Sequence, residues 1–188
     1  PNTVLAFSAC LRKVRSSRGY LHDVGALILP LLKQKNVQSM AIATTENEAT
    51  LSVSDEFSKT IKSQNIKIVL TEDYLPEEQD FRTSILRIKQ KNPNAVMVCL
   101  LPNQLGLFLK QLRAIQPKVL VVGCATMESE HAAKVASGAM NGVFYGMSST
   151  DEAFQRDYQK EYGHQPEMTA GTVYDIIHMI ALAAAKVG

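Results

Sequence analysis

Four short polar segments of this 188-residue sequence carry the side chains best suited to hold a small molecule. Each segment follows an apolar run typical of a buried strand, and three of them precede a pattern typical of a helix. The first backbone N–H groups of a helix favour a carboxylate or another anion. For any one of these residues, a helix cap or a turn is the simpler interpretation, but four such segments at one sheet edge favour a ligand site. The predicted ligand-binding residues are Thr45, Glu46, Asn47, Leu101, Asn103, Cys124, Ala125, Thr126 and Ser148.

Patterns for the common catalytic chemistries are absent from the sequence. It contains no G-x-x-x-x-G-K-[ST] or G-x-G-x-x-G phosphate loop, no H-E-x-x-H pair and no G-x-S-x-G turn. The four histidines are scattered, and His178, three residues after Asp175, is best explained as a helix residue bonded to a neighbour. We therefore predict no catalytic residue, no metal site and no cofactor, and we interpret the protein as a non-enzyme.

The number and spacing of the three cysteines predict neither disulfide bonds nor a metal site. Cys10, Cys99 and Cys124 are an odd number without C-x-x-C spacing, so neither a disulfide framework nor a zinc site is indicated. Cys99 lies inside an apolar run and is expected to be a small core residue. Cys124 follows a strand end, but no neighbouring histidine or basic residue would activate its thiolate.

Composition and charge exclude several classes of protein. Twenty lysines and arginines against 18 acidic residues give a net charge of +2, so no nucleic-acid surface is predicted. A hydrophobic content of 46% is too high for a disordered chain. The longest apolar stretch, Ile176–Ala185, is far shorter than the roughly 20 residues of a membrane span.

Alternation of strand-like and helix-like segments predicts the fold. Short β-branched runs occur at Val37–Ala43, Ile66–Leu70, Ala95–Leu101, Lys118–Val122 and Val143–Tyr145. The segments between them have helical spacing of apolar residues, which implies crossover helices and a parallel sheet covered on both faces. We predict a doubly wound α/β domain with a five-stranded parallel sheet in the flavodoxin-like order 2-1-3-4-5.

The two ends of the sequence add apolar helices to this sheet. Residues 18–35 have helical apolar spacing, although Pro30 would kink or shorten that helix. A broad apolar stripe runs from Val173 to Val187. A helix this apolar suggests a further layer to cover it.

Short motifs occur in a recognisable order along the chain. The pair Asp80-Phe81 begins a predicted helix that ends in Asn92-Pro93-Asn94 before a strand. Near the other end stand Phe154, Tyr158, Tyr162-Gly163, Pro166, Ala170 and Tyr174-Asp175. This succession resembles the type I periplasmic solute-binding proteins of the branched-chain amino acid class, over about residues 37–188.

The resemblance implies two α/β lobes with a ligand held between them. Residues 1–36 would be a crossing segment and a first-lobe helix. Residues 37–147 would be the second-lobe ligand-binding domain, so the sheet would be one lobe of a type I periplasmic-binding-protein fold. Residues 148–188 would be the hinge return and helices packing toward the first lobe, with Ser148 near the hinge. Members often carry Tyr-Gly after the first strand of this lobe, whereas this chain has Thr45-Glu46-Asn47. That departure points away from a bulky aliphatic ligand and leaves a more polar one open.

For function, the resemblance implies a periplasmic or extracellular solute-binding component of an ABC-type importer. Its partners would be a small ligand, such as an amino acid or an amide, and a membrane permease, and copies could associate through exposed first-lobe helices. Two alternatives stay open: the ligand-binding sensor domain of a membrane receptor, and a cytosolic flavodoxin-like α/β enzyme or switch. A phosphoacceptor switch would need acidic residues at the strand ends, and Leu101-Pro102-Asn103 supplies none.

Overall fold

The computed structural model describes residues 5–6, 23–146, 152–166 and 170–187. The strands are β1 (Leu5–Ala6), β2 (Ser39–Thr45), β3 (Lys67–Tyr74), β4 (Ala95–Cys99), β5 (Leu120–Gly123) and β6 (Phe144–Tyr145). The helices are α1 (Asp23–Gln34), α2 (Glu48–Ser63), α3 (Arg82–Lys91), α4 (Pro102–Ile115), α5 (Glu130–Ala136), α6 (Glu152–Tyr162) and α7 (Ala170–Val187). A short 3-10 helix, Ala125–Glu128, lies between β5 and α5.

All neighbouring strands of the sheet pair in parallel, in the order β1-β6-β5-β4-β2-β3. The five strands predicted from the sequence are β2 to β6, and their order 2-1-3-4-5 is confirmed. The structure adds β1 as a sixth strand beside β6. Two residues are too few to show a periodic pattern, so this strand could not be recognised from the sequence.

Strand β4 shows directly that the sheet is covered on both faces. Successive strand residues point to opposite faces, and Val96 and Val98 belong to one core cluster while Met97 and Cys99 belong to the other. The first cluster includes side chains of α3, α4 and α5 and the fully buried Phe81. The second is formed with α1 and α2. All five β4 residues are buried, which explains the uninterrupted apolar run of this strand.

Helix α1 packs on this sheet. Val24, Ile28, Leu31 and Leu32 are buried in the cluster that also contains β2 and β4 residues. From the sequence this helix was expected to belong to the first lobe, whereas in the structure its apolar face is covered by the core of the sheet domain. Pro30 lies within the helix on an exposed position and does not end it. The other boundaries drawn between lobe segments stay predictions.

A second compact unit contains α6 and α7. Within it, the ring of Phe154 lies 5.3 Å from that of Tyr174 and 5.8 Å from that of Tyr158, measured between centroids. Several apolar side chains of α7 are exposed, among them Val173, Ile177 and Ile180. No helix in the part of the chain that the structure describes is long and apolar enough to cross a membrane.

Candidate functional site

Strands β2 to β6 end at one edge of the sheet, which we call the carboxyl edge. The register joins Thr45 to Tyr74, Val98 to Gly123, and Gly123 to Tyr145, so the loops that follow these strands start side by side. Eight of the nine predicted ligand-binding residues lie at the end of a strand, in the loop that follows it or in the first turn of the next helix. The ninth, Ser148, lies outside the described residues. In open α/β sheets this edge is where ligands bind.

Thr45 closes β2 with a hydroxyl group that is fully used inside the protein. The hydroxyl donates a hydrogen bond to Gln104 Oε1 at 2.6 Å and accepts one from the Leu101 backbone N–H at 3.1 Å. Thr45 is completely buried. Its side chain therefore positions the start of α4, and the structure gives it no hydroxyl hydrogen to offer a ligand.

Gln104 ties a third loop into the same network. Its amide Nε2 donates to the backbone carbonyls of Leu75 at 2.7 Å and Glu78 at 3.2 Å, in the loop between β3 and α3. The side chain is 1% exposed. The sequence analysis missed this residue because a glutamine in the first turn of a helix is ordinarily solvated. Gln104 is buried because the ends of β2 and β3 lie beside it in the fold, and these segments are distant from it in the sequence.

Replacing Gln104 with leucine should destabilise the domain. Q104L keeps the side-chain volume but leaves the buried Thr45 hydroxyl and two partly buried backbone carbonyls without their partner, which costs about 2 kcal/mol of unfolding free energy. Urea unfolding followed by circular dichroism measures this, since the sequence has no tryptophan. The control is Q90L, on an exposed position of α3, which should change stability by less than about 0.5 kcal/mol. Equal effects of the two variants would contradict the role assigned to Gln104.

The β2–α2 loop presents two exposed polar side chains. Asn47 is the N-cap of α2, and its Oδ1 accepts the Ala49 N–H at 3.0 Å. The Glu46 backbone N–H donates to the Tyr74 carbonyl at 2.7 Å, which fixes the loop against β3, while the Glu46 side chain is exposed. The Asn47 side chain therefore caps α2, whereas the Glu46 carboxylate is exposed at the carboxyl edge.

The start of α4 supplies a second exposed polar group. Pro102 occupies the first turn, where its missing N–H costs no helical hydrogen bond. Asn103 is exposed, and its Nδ2 donates to the Pro76 carbonyl at 3.3 Å. Leu101 is half-buried beside it. The side-chain amide of Asn103, in the first turn of α4, makes one long hydrogen bond and can still donate a hydrogen bond to a ligand or accept one from it.

The loop after β5 differs from the other two because most of it is buried. Cys124 and Ala125 are 5% and 9% exposed, whereas Thr126 is half-buried. The Thr126 hydroxyl lies 3.4 Å from Cys124 Sγ. Of the three predicted residues in this loop, Thr126 is thus the one that presents a polar group to the edge.

Two further residues at this edge were missed by the sequence analysis. The Tyr145 hydroxyl, at the end of β6, donates to Glu128 Oε1 at 3.0 Å. Burial, and then the nearby Glu128 carboxylate, raises the pKa of Tyr145 to about 12, so the phenol keeps its proton at neutral pH. Glu128 ends the 3-10 helix after β5, a segment with no periodic sequence pattern, so only the fold brings Glu128 and Tyr145 together.

The described residues contain no group of three or more histidine, cysteine, aspartate or glutamate side chains that could hold a metal ion. The exposed groups of the carboxyl edge are carboxylates, amides and hydroxyls. Such groups can bind and orient a small polar molecule by hydrogen bonds and charge.

An open hollow of about 830 Å³ lies at the opposite edge of the sheet, near the starts of β5 and β6. We call it the basic hollow, and its charged lining residues are Lys35, Lys110, Arg113 and Lys118. Arg113 donates to the carbonyls of Val119 at 2.7 Å and Pro117 at 3.2 Å, so it stabilises the turn before β5. The three lysines are exposed. Solvated lysines around a structural arginine make a weaker ligand site than the converging loops of the carboxyl edge.

Solved structures with the same fold identify the class of domain. The branched-chain amino acid transporter substrate binding protein LivJ from Streptococcus pneumoniae, in complex with isoleucine, has a TM-score of 0.67 and 23% identity, covering 86% of this chain and 49% of its own. The leucine binding protein LivK from Thermotoga maritima has a TM-score of 0.72 and 16% identity, covering 86% and 48%. An ABC transporter solute binding protein from R. palustris, in complex with 4-hydroxybenzoate, has a TM-score of 0.55 and 16% identity, covering 62% and 33%.

These likenesses establish the fold: the sheet domain is one lobe of a type I periplasmic-binding-protein fold. Residues 19–188 also match the periplasmic binding protein family, and the chain belongs to that family. The chain spans about half the length of LivJ and LivK. No curated protein is significantly similar in sequence.

Proposed function

We propose that the protein is the solute-binding component of an ABC-type importer and that it binds a small polar solute without converting it. The observation that carries this proposal is the carboxyl edge, where the loops after β2, β4 and β5 present polar groups and the Thr45–Gln104 network ties the first two of them to the β3–α3 loop. The family and the fold support it, since both belong to binding proteins. The proposed setting is periplasmic or extracellular, and the proposed membrane partner is a permease.

In the proposed mechanism, a second lobe closes over the carboxyl edge when solute is bound. A solute that contacts both lobes binds the closed form more tightly than the open form, and it thereby shifts the population toward closure. The permease would recognise the closed form. The role of this chain is to hold the loops of the carboxyl edge rigid. Closure then orders few further side chains, which lowers the entropic cost of binding the solute.

The proposed ligand class is an amino acid or a related amide. Isoleucine is bound by LivJ, and a leucine binding protein shares the fold. In this chain Glu46 offers a carboxylate to an ammonium group, and the positive ends of the α2 and α4 helix dipoles favour a carboxylate. The exposed residues of the β2–α2 loop include no aromatic ring, which favours a polar amino acid over a bulky aliphatic one.

A thermal-shift screen of the full-length protein tests this proposal. The panel contains polar and aliphatic amino acids, their amides, urea and small carboxylic acids. A solute at 100 times its Kd should stabilise the folded protein by about 2.7 kcal/mol. A screen in which no member of the panel raises Tm would contradict the proposed ligand class.

Asn103 should contribute directly to the affinity for the solute found in that screen. N103A removes an amide at the mouth of α4 and should weaken binding by about 1–3 kcal/mol, measured by isothermal titration calorimetry. The matched control is N141A, which removes an exposed asparagine beside the basic hollow. Unchanged affinity in N103A would remove this residue from the site, and weakened affinity in N141A would move the site to the opposite edge.

A further inference from the structure

Two cysteines meet between adjacent strands at the carboxyl edge. Cys99 ends β4, and Cys124 directly follows β5. The residues before them, Val98 and Gly123, are register partners, so the two cysteines stand opposite one another on neighbouring strands. Both belong to the same core cluster, so their side chains point to the same face of the sheet. Their sulfur atoms lie 2.7 Å apart, and both thiols are free.

This geometry suits a covalent bond between the two sulfur atoms. Neighbouring strands lie about 4.7–4.9 Å apart, which is within the range of Cα separations of about 4.4–6.8 Å that disulfides span. Sulfur atoms already in contact need only a small side-chain rotation to reach bonding distance. The two residues are 25 positions apart and enclose α4, so the bond would close a loop across the strand–helix–strand unit.

The two thiols also differ in reactivity. The hydrogen bond between the two sulfur atoms, with a further contribution from Thr126, lowers the pKa of the Cys124 thiol against the opposing effect of burial. The hydrogen bond to Cys124, with burial, raises the pKa of the Cys99 thiol. Because the thiolate is the nucleophile, we assign the first attack to Cys124, which is also the more exposed of the two cysteines.

We propose that Cys99 and Cys124 form a disulfide that braces β4 and β5 at the ligand edge. The proposal rests on the proposed extracytoplasmic setting, where disulfides persist. The oxidant is a low-molecular-weight disulfide. The Cys124 thiolate attacks one of its sulfurs, forms a mixed disulfide and expels one thiolate. The Cys99 sulfur then loses its proton, attacks Cys124 Sγ and expels the second thiolate. Two protein thiols and one small disulfide thus become one protein disulfide and two small thiols.

The test uses the full chain with the third cysteine removed, C10S, so that only this pair is counted. The protein is equilibrated with oxidised glutathione, both as the folded protein and during refolding, because the thiols are 1% and 5% exposed. Exchange is stopped with acid, and the protein is then unfolded in guanidinium chloride at pH 7 with excess maleimide and weighed. The expected product has lost two hydrogens and carries no maleimide or glutathione. Its Tm is higher by about 10 °C, as for a cross-link that closes a loop of about 25 residues, and a phosphine reductant reverses the shift.

The controls are C10S/C99A and C10S/C124A, each of which keeps one thiol of the pair. Both should bind one maleimide or one glutathione and gain no stability on oxidation. Two maleimides on the oxidised C10S protein, a lasting glutathione adduct, or disulfide-linked dimers would each overturn the proposal. Solute binding is measured separately in reducing buffer. If the disulfide forms in the oxidation assay but no solute binds in reducing buffer, only the proposed function is contradicted. If a solute binds but no disulfide forms, only the proposed disulfide is contradicted.

Discussion

Replacing Phe81 with alanine should cost about 3–5 kcal/mol of unfolding free energy, the range for truncating a fully buried phenylalanine. Phe81 is completely buried, and its ring lies 4.9 Å from that of Tyr74 and 5.3 Å from that of Phe108. Each contact has the edge-to-face geometry that aromatic pairs prefer. F81A removes both contacts and leaves a cavity beside the β3–α3 loop, to whose backbone the Gln104 side chain is hydrogen-bonded.

Urea unfolding followed by circular dichroism measures this loss. The control is L86A, on the same helix, where the leucine is 49% exposed and truncation should cost less than about 1 kcal/mol. A loss in F81A no larger than that in L86A would show that the three rings do not stabilise the domain. The Asp80-Phe81 pair that carried the family resemblance would then have no packing role in this chain.

Introducing valine at Gly106 should destabilise the domain by about 3 kcal/mol, the upper end of the usual cost of overpacking. A Cβ atom added at Gly106 would lie 2.4 Å from the Ala132 carbonyl oxygen and 2.8 Å from Val135 Cβ. The nearest of these atoms belongs to the backbone of α5, so the clash can be relieved only by moving α4 and α5 apart. The β5–α5 loop would move with them.

The control A114V introduces the same β-branched residue on an exposed position of α4, where the cost should be about 0.5–1 kcal/mol from helix propensity alone. The same unfolding assay compares the two variants. If G106V were as stable as A114V, the close approach of α4 and α5 would not hold in solution.

The sequence was sufficient to predict the fold because each buried strand shows its own pattern. β4 is buried on both faces and is entirely apolar, so its existence and central position followed directly. β3 was predicted only to Leu70 because Glu72 and Asp73 interrupt the apolar run. The structure extends it to Tyr74, where an edge strand exposes one face and still pairs with β2. The sequence of α1 shows an apolar face but not which layer covers that face; in the structure the face lies in the core of the sheet domain.

The candidate site was predictable in position and less so in detail. Strand ends identify the edge, and eight predicted residues lie there. Which of these residues hold the loops together and which expose a polar group depends on contacts between loops that are distant in sequence. Thr45 and Gln104 are 59 residues apart, so their hydrogen bond has no local signal. For the same reason Tyr145 and Glu128 were missed, and the contact between Cys99 and Cys124 could not be foreseen.

Hydrogen exchange of the full-length protein, with and without the solute identified by the thermal-shift screen, tests most directly whether the carboxyl edge is the binding site. Solute at saturating concentration should slow exchange of backbone amides in residues 46–49, 101–105 and 124–128. Amides of residues 136–142, beside the basic hollow, should exchange at the same rate in both samples. Protection confined to residues 136–142, or none at the three loops of the carboxyl edge, would contradict the account.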